Sequence, residues 1–268
     1  MNTLVKPKNT AKDLNNKIQK HFEELIKATD KARRSKDMMC YLDFCAKFHQ
    51  YSPANILLIM IARPEATLVA GYNKWKSMGR WVNKGEGGIP ILAPLLIKEE
   101  LEDGLETKRL VGFKVVYVFD ITQTEGEPLP KLPDWKSPEK NHELNQRLIQ
   151  YAKSQGISVT FKQLPGEIQG LSKGGSIDIY LTAGTKTLVH EIAHELLHQK
   201  KVSLQSKAIK ELEAESVAYV VCKYFGLRDL NSSNYLAFFE VSTDDMLVHL
   251  ERIRNTANEI ITHIHPNP

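Results

Sequence analysis

Cysteine is scarce: Cys40, Cys45 and Cys222 are all there is in 268 residues. The number is odd and no pair has zinc-ligand spacing. That excludes a disulfide framework and a cysteine-held metal, and it points to a reducing cytoplasm. Long apolar runs are missing too. The longest, ILLIMIA at 56–62, is far short of the roughly 20 residues a bilayer-spanning helix needs, so no membrane association is expected. The opening MNTLVKPKNTAKDLNNK has no apolar stretch after its basic residues, so no secretory signal is expected either. Internal repeats and low-complexity tracts are absent, which excludes solenoids and arrays. What remains is ordinary globular composition, 42% hydrophobic and 25% charged. The length suits one large domain or two modest ones.

The net charge of +4 conceals an asymmetry. Residues 1–120 carry 20 Lys and Arg against 14 Asp and Glu, a balance of +6, whereas residues 121–268 carry 16 against 18, a balance of −2. Two units with different partners are therefore expected.

Periodicity supports this. Apolar Leu14, Ile18, Phe22, Leu25 and Ile26 recur at three and four, predicting helix over 13–49, which includes Cys40 and Cys45. Ser52 is a candidate N-cap, Pro53 a first helical residue and Pro64 a stop. A short helix in GYNKWKSMGRW breaks at Gly79, and a strand over 89–97 returns through a charged hairpin tip as LVGFKVVYVFDI. TQTEGEPLPKLPDWKSP, 122–138, is proline-rich and aperiodic, the expected linker. Beyond it come a helix over 139–154, strands ISVTFKQL and SIDIYL on either side of the turn SKGG, and helices over 185–199, 205–225 (ended by Gly226) and 243–263. The expected class is α+β: an N-terminal unit over 1–121, the linker, and a unit over 139–268 with a small sheet.

TLVHEIAHELLHQK, 187–200, carries the chemistry. Residues four apart on a helix lie one turn above each other, so His190 and His194 can reach one cation. Glu191, about 100° round the helix, can act on a water at that cation without occupying a ligand position. This pattern suits zinc hydrolysis, with Glu191 as the catalytic base. A third protein ligand is needed, and KELEAESVAYVVCKYFG offers Glu211, Glu213 and Glu215. Glu211 and Glu215 share a face. Glu211 is the expected ligand and Glu215 the residue holding a histidine's other nitrogen, with the reverse as the alternative. Glu213 is expected on a solvated face. His198 is expected to hydrogen-bond locally or face solvent, and Tyr219 is a possible transition-state donor.

In the first unit, Tyr51, Tyr72, Trp75 and Trp81 alternate with Arg63, Lys74, Lys76, Arg80 and Lys84. Aromatic faces can stack unpaired bases while cations follow phosphates. Alternatively, the tryptophans are core and the lysines a solvated face.

LVHEIAHELLH followed by KELEAESVAYVV resembles the zincin metallopeptidases of the ImmA/IrrE group and their relatives in antirestriction proteins. The stretch at 51–94, with FKVVYVFDITQTEG at 113–126, resembles the N-terminal single-stranded-DNA-binding domain of ArdC-type antirestriction proteins. The resemblance spans about 35–225. It implies a cytoplasmic zinc-dependent endopeptidase coupled to a single-stranded-DNA-binding domain, with Zn2+ as cofactor and a role in antirestriction or regulator cleavage linked to mobile elements. A protein or peptide substrate is expected to add as a strand along SIDIYL. The alternative is a non-catalytic antirestriction protein that binds single-stranded DNA and keeps a structural or vestigial zinc site.

Overall fold

In a computed structural model, residues 9–27, 31–100, 106–129, 138–199, 205–227, 230 and 242–265 are described. The class is α+β. Contacts divide the chain into two compact units, residues 1–24 with 54–130 and residues 25–53 with 131–268. The stretch at 25–53, sequentially part of the expected N-terminal unit, thus packs with the C-terminal one. The helix expected over 13–49 consists of α1, Ala11–Lys27, and α2, Lys31–Lys47, with 28–30 outside the described residues.

In the first unit, α1 opens on a reciprocal cap. Thr10 Oγ1 accepts from the Asp13 N–H at 3.2 Å, and Asp13 Oδ2 accepts from the Thr10 N–H at 2.8 Å. Leu14, Ile18 and Phe22, four apart, are all buried. Helix α3, Pro53–Ala62, buries Ile56, Leu57, Leu58 and Ile59, and it is tied to the sheet by Asn55. That amide donates to Leu92 O at 2.8 Å and accepts from Leu92 N at 2.9 Å. Strand β1, Val69–Gly71, and the long hairpin of β3, Ile89–Glu100, and β4, Glu106–Asp120, form an antiparallel sheet in the order β1-β4-β3. Ile89, Ile91 and Val118 face the core, whereas Leu95, Leu96, Ile97, Leu110, Val111 and Phe113 further along the hairpin are exposed. The hairpin tip at 101–105 lies outside the described residues.

The expected linker begins later than residue 122. Asp120 caps a 3-10 turn at Ile121–Gln123, and β5, Thr124–Gly126, pairs antiparallel with β2, Arg80–Val82. A three-residue strand of Thr, Glu and Gly has no apolar periodicity to read, which is why it passes for linker. Residues 130–137 lie outside the described residues.

In the second unit, α5, Pro138–Ser154, buries Leu144, Leu148, Tyr151 and Ala152. A three-stranded sheet of β6, Ser158–Lys162, β7, Gly170–Ser172, and β8, Ser176–Tyr180, has the order β6-β8-β7. Strand β8, which holds all of SIDIYL but Leu181, is parallel to β6 on one side and antiparallel to β7 on the other. Its backbone groups are committed on both sides, so a peptide cannot add there. Among the described strands, β6 and β7 form the edges of this sheet.

Helix α6, Thr185–His194, continues into a π-helical turn, Glu195–Gln199. Helix α7, Lys207–Tyr224, is buried nearly all round and packs on α6, α2 and α8, the last spanning Thr243–Ile264. It starts at Ser206, whose hydroxyl accepts from the Ile209 N–H, and stops at Gly226 at φ 78°. The Gly226 N–H reaches Lys223 O and the Leu227 N–H reaches Cys222 O, satisfying the terminal carbonyls. Cys40, Cys45 and Cys222 are free thiols, and burial pushes the last two up to about 12. No described helix is long and apolar enough to cross a membrane.

Candidate metal centre and nucleic-acid interface

One turn of α6 aims His190 and His194 the same way, and α7 brings Glu211 to meet them. His190 Nε2 and His194 Nε2 are 3.0 Å apart, and Glu211 Oε2 lies 3.4 Å from the first and 3.5 Å from the second. Ligands at about 2.1 Å around a tetrahedral cation are separated by roughly 3.4 Å, so the three atoms span one face of such a polyhedron. The histidines are half-buried, while the Glu211 side chain is 49% exposed, leaving an open approach.

Two imidazole nitrogens at 3.0 Å cannot both carry a proton. Burial and the neighbouring His190 push the His194 pKa down to about 4. Burial also opposes charge on His190, but the Glu215, Glu191 and Glu211 carboxylates outweigh it and raise its pKa. Glu215 stands behind the site. Its Oε2 lies 3.5 Å from His190 Nδ1, while Oε1 pairs with Lys186 Nζ. Burial works against the Glu215 anion, yet His190 and Lys186 hold its pKa below the ordinary carboxylate value. A carboxylate on the far ring nitrogen fixes both tautomer and ring orientation, leaving Nε2 free for a cation.

Glu191 lies beside the cluster without being one of its three converging groups, and it interacts electrostatically with His190 and Glu211. Its carboxylate accepts from the Ser172 main-chain N–H, and burial raises its pKa, only partly offset by His190. The side chain lies across Gly170, where a Cβ would come within 2.6 Å of Glu191 Cγ and Oε1. A buried carboxylate with a raised pKa beside such a cluster is suited to proton transfer.

Two expectations for α7 fail. Glu213 is not on a solvated face but fully buried, its Oε1 accepting from His249 Nδ1 at 2.7 Å and Arg252 Nη1 at 3.2 Å. Helix α8 covers that side of α7 and supplies both partners. Tyr219 is committed elsewhere, its hydroxyl donating to Asp43 Oδ1 at 2.7 Å. His198 is buried, with Nε2 3.2 Å from Lys210 O, so that nitrogen carries the proton. Lys186 was missed, although it sits one turn before His190 on the same face. Glu195 was missed as well, and its only sequence signal was a glycine turn, SKGG, rich in unpaired N–H groups.

The first unit separates its aromatic and basic residues. Trp75 is fully buried, its Nε1 donating to Phe119 O at 2.9 Å, so it has no face for a base. Arg80 is a clamp. It reaches Thr124 Oγ1 and O, both at 2.9 Å, and Glu127 O at 2.5 Å, joining β2 to β5 and leaving little for phosphate. Arg63 is drawn to Glu65 at 3.3 Å and Thr122 Oγ1 at 3.1 Å. Tyr51 belongs to the other unit, half-buried with its ring edge against Phe48. Five of the nine candidates are exposed: Tyr72, Lys74 and Lys76 on α4, Tyr72–Ser77, then Trp81 on β2 and Lys84 in the following turn.

Asp120 and Gln123 organise the turn beside them. Asp120 accepts from Thr67 N, Leu68 N, Thr122 N and Thr122 Oγ1, and Gln123 accepts from Asp120 N while donating to Gly87 O and Glu86. The motif FDITQTEG is thus a structural knot.

The molecule combines an α+β unit bearing exposed aromatic and basic residues with a second α+β unit bearing a His-His-Glu cluster. Residues 8–156 match the family model of the N-terminal domain of anti-restriction factor ArdC. The chain belongs to that family. It is 29% identical to an uncharacterized protein of Bacillus anthracis over 281 aligned residues, covering 85% of this chain and 48% of the relative. The chain therefore spans about half that relative's length. It is also similar to crystal structures of the antirestriction protein ArdC from plasmid R388. The metal-free form has a TM-score of 0.48 at 19% identity, covering 80% of this chain and 85% of that one. The Mn(II)-bound form has a TM-score of 0.48 at 18% identity, covering 80% and 83%.

Proposed function

We propose that this ArdC-family chain is a zinc-dependent endopeptidase coupled to a single-stranded-DNA-binding unit, acting in antirestriction or in the cleavage of a regulator. The observation that carries the enzymatic half is the convergence of His190 Nε2, His194 Nε2 and Glu211 Oε2 within 3.0–3.5 Å of one another. Two imidazoles and one carboxylate are a donor set that zinc takes in hydrolytic sites, and the open side leaves room for water and substrate. When bound there, the cation supplies a Lewis acid that acidifies water and polarises a carbonyl. Glu191 takes the proton from the attacking water and returns it to the leaving amine. Glu215 and Lys186 keep His190 oriented. A peptide fits best beside β7, the sheet edge that packs against α6 and whose Ser172 N–H Glu191 already holds.

The DNA-binding half rests on Tyr72, Trp81, Lys74, Lys76 and Lys84, which combine exposed rings with exposed ammonium groups in thirteen residues. Stacking plus phosphate contact recognises a single strand without reading its sequence.

Metal analysis of purified protein tests the reading. The wild-type chain should hold about one zinc per chain, and His194→Ala should lose it while single-strand binding persists. A folded wild-type protein that takes up no zinc from buffer ends the peptidase assignment. Glu191→Gln, which keeps all three ligands, separates catalysis from binding. An antirestriction phenotype unaffected by it supports a protein that acts by binding DNA alone.

A further inference from the structure

Glu191 and Glu195 lie one turn apart on α6 and the π turn, and both carboxylates end on β7 and the turn that follows it. Glu195 is 2% exposed. Its Oε1 accepts from Ser172 Oγ at 2.6 Å and from the Lys173 and Gly174 N–H groups, both at 2.9 Å. Its Oε2 accepts from the Gly175 N–H at 2.7 Å. Gly174 and Gly175 have φ of 81° and 89°, a left-handed conformation that turns successive N–H groups inward. Such a concavity is an anion nest, here filled by the chain's own side chain. Charge-assisted bonds of this kind are the strong class.

Ser172 faces both carboxylates. Its hydroxyl donates to Glu195, and its main-chain N–H donates to Glu191. Two residues earlier, Gly170 offers bare backbone on which Glu191 lies. The nest therefore locks the one strand segment that holds the Glu191 carboxylate.

We infer that Glu195 is a positioning residue for Glu191: by filling the nest of Lys173–Gly175 it anchors edge strand β7 to α6, so that Ser172 N–H and Gly170 fix where the Glu191 carboxylate lies. The inference rests on the metal-hydrolase reading above. Both Glu195 oxygens are taken up by the nest, and Glu195 is not one of the three converging groups. Its neutral analogue would oppose an amide donor to an N–H of the nest, loosening the turn while leaving His190, His194 and Glu211 in place.

The test uses the full chain loaded with cobalt(II), with acetohydroxamate as probe, because a hydroxamate chelates the metal and hydrogen-bonds to an adjacent carboxylate. Cobalt affinity and hydroxamate affinity are read from the visible absorption bands, and amide exchange at 172–175 is read without metal. Glu195→Gln should speed exchange at 173–175 and weaken hydroxamate about tenfold, with cobalt affinity unchanged. Gly170→Ala should weaken hydroxamate similarly without loosening the nest, since its methyl displaces Glu191 directly. Ser172→Ala, which removes one donor and keeps the main chain, should give the Glu195→Gln effect in weaker form and stands in for it if that variant does not fold. Faster exchange with unchanged hydroxamate affinity in Glu195→Gln overturns the inference and leaves Glu195 a fold staple. Unchanged exchange overturns it as well. A wild-type chain that binds no cobalt overturns the metal reading and this inference together, a result distinguishable from the other two.

Discussion

The two units carry candidate sites of opposite kinds. In the second unit, donor atoms from two helices converge within 3.5 Å of each other, and Glu215, paired with Lys186, stands behind His190. In the first, five exposed side chains are spread over a helix, a strand and a turn, and neighbours of identical type are buried or clamped. A point site is defined by direction, a distributed surface by exposure. Trp75 and Trp81 make the contrast plain: six residues apart, one is fully buried and the other 50% exposed.

Replacing them in turn is the sharpest way to test that difference. Trp75→Ala should cost about 3–5 kcal/mol of stability by opening a core cavity, measured by denaturant unfolding. Trp81→Ala should leave stability nearly unchanged and cost about 1–3 kcal/mol in oligonucleotide binding. Equal stability losses would erase the distinction between core and surface.

Within the second unit, α7 turns Glu211 and Glu215 toward the histidines and Glu213 toward α8. Glu213→Ala removes the buried carboxylate shared by His249 and the partly exposed Arg252 and should cost about 1–3 kcal/mol, whereas Glu211→Ala, at an exposed position, should change stability little and abolish metal uptake. If thermal unfolding ranked them the other way, the roles assigned along this helix would be reversed.

Asp120 extends the comparison to acid. Burial opposes its charge, but donors from Thr67, Thr122 and Leu68 hold its pKa below the ordinary value. A depressed folded pKa contributes stability that is present above the unfolded pKa and lost as pH falls through the folded one. Asp120→Asn should therefore remove part of the acid limb of the stability profile, in the range below the ordinary carboxylate value of 3.8. Parallel profiles for variant and wild type would refute this.

The smallest effect belongs to Lys76→Ala. The slope of log affinity against log salt for a single strand should fall by about 0.7, the share of one phosphate contact, at every sequence tested. An unchanged slope would place Lys76 off the DNA path.

Much of the His-His-Glu corner was legible because helical geometry is local: four-residue spacing puts His190 over His194 and Glu211 over Glu215 whatever surrounds them. Glu213 was misjudged for the complementary reason. Its burial depends on α8, which begins thirty residues later and supplies His249 and Arg252. The short strand β5 was missed because three residues carry no period, and Arg80 looked like a phosphate contact because a guanidinium also binds carbonyls.

By itself, the sequence determined the α+β class, the helices, their stops and the residues able to ligate a metal, since these follow from near-neighbour periodicity and side-chain chemistry. Tertiary structure alone decided that residues 25–53 pack with the C-terminal unit. It also decided that β8 is interior and that Glu195 fills a nest twenty residues upstream. Those outcomes depend on which surfaces meet, and burial, strand order and the partner of a charge are properties of contacts between distant segments that no local pattern encodes.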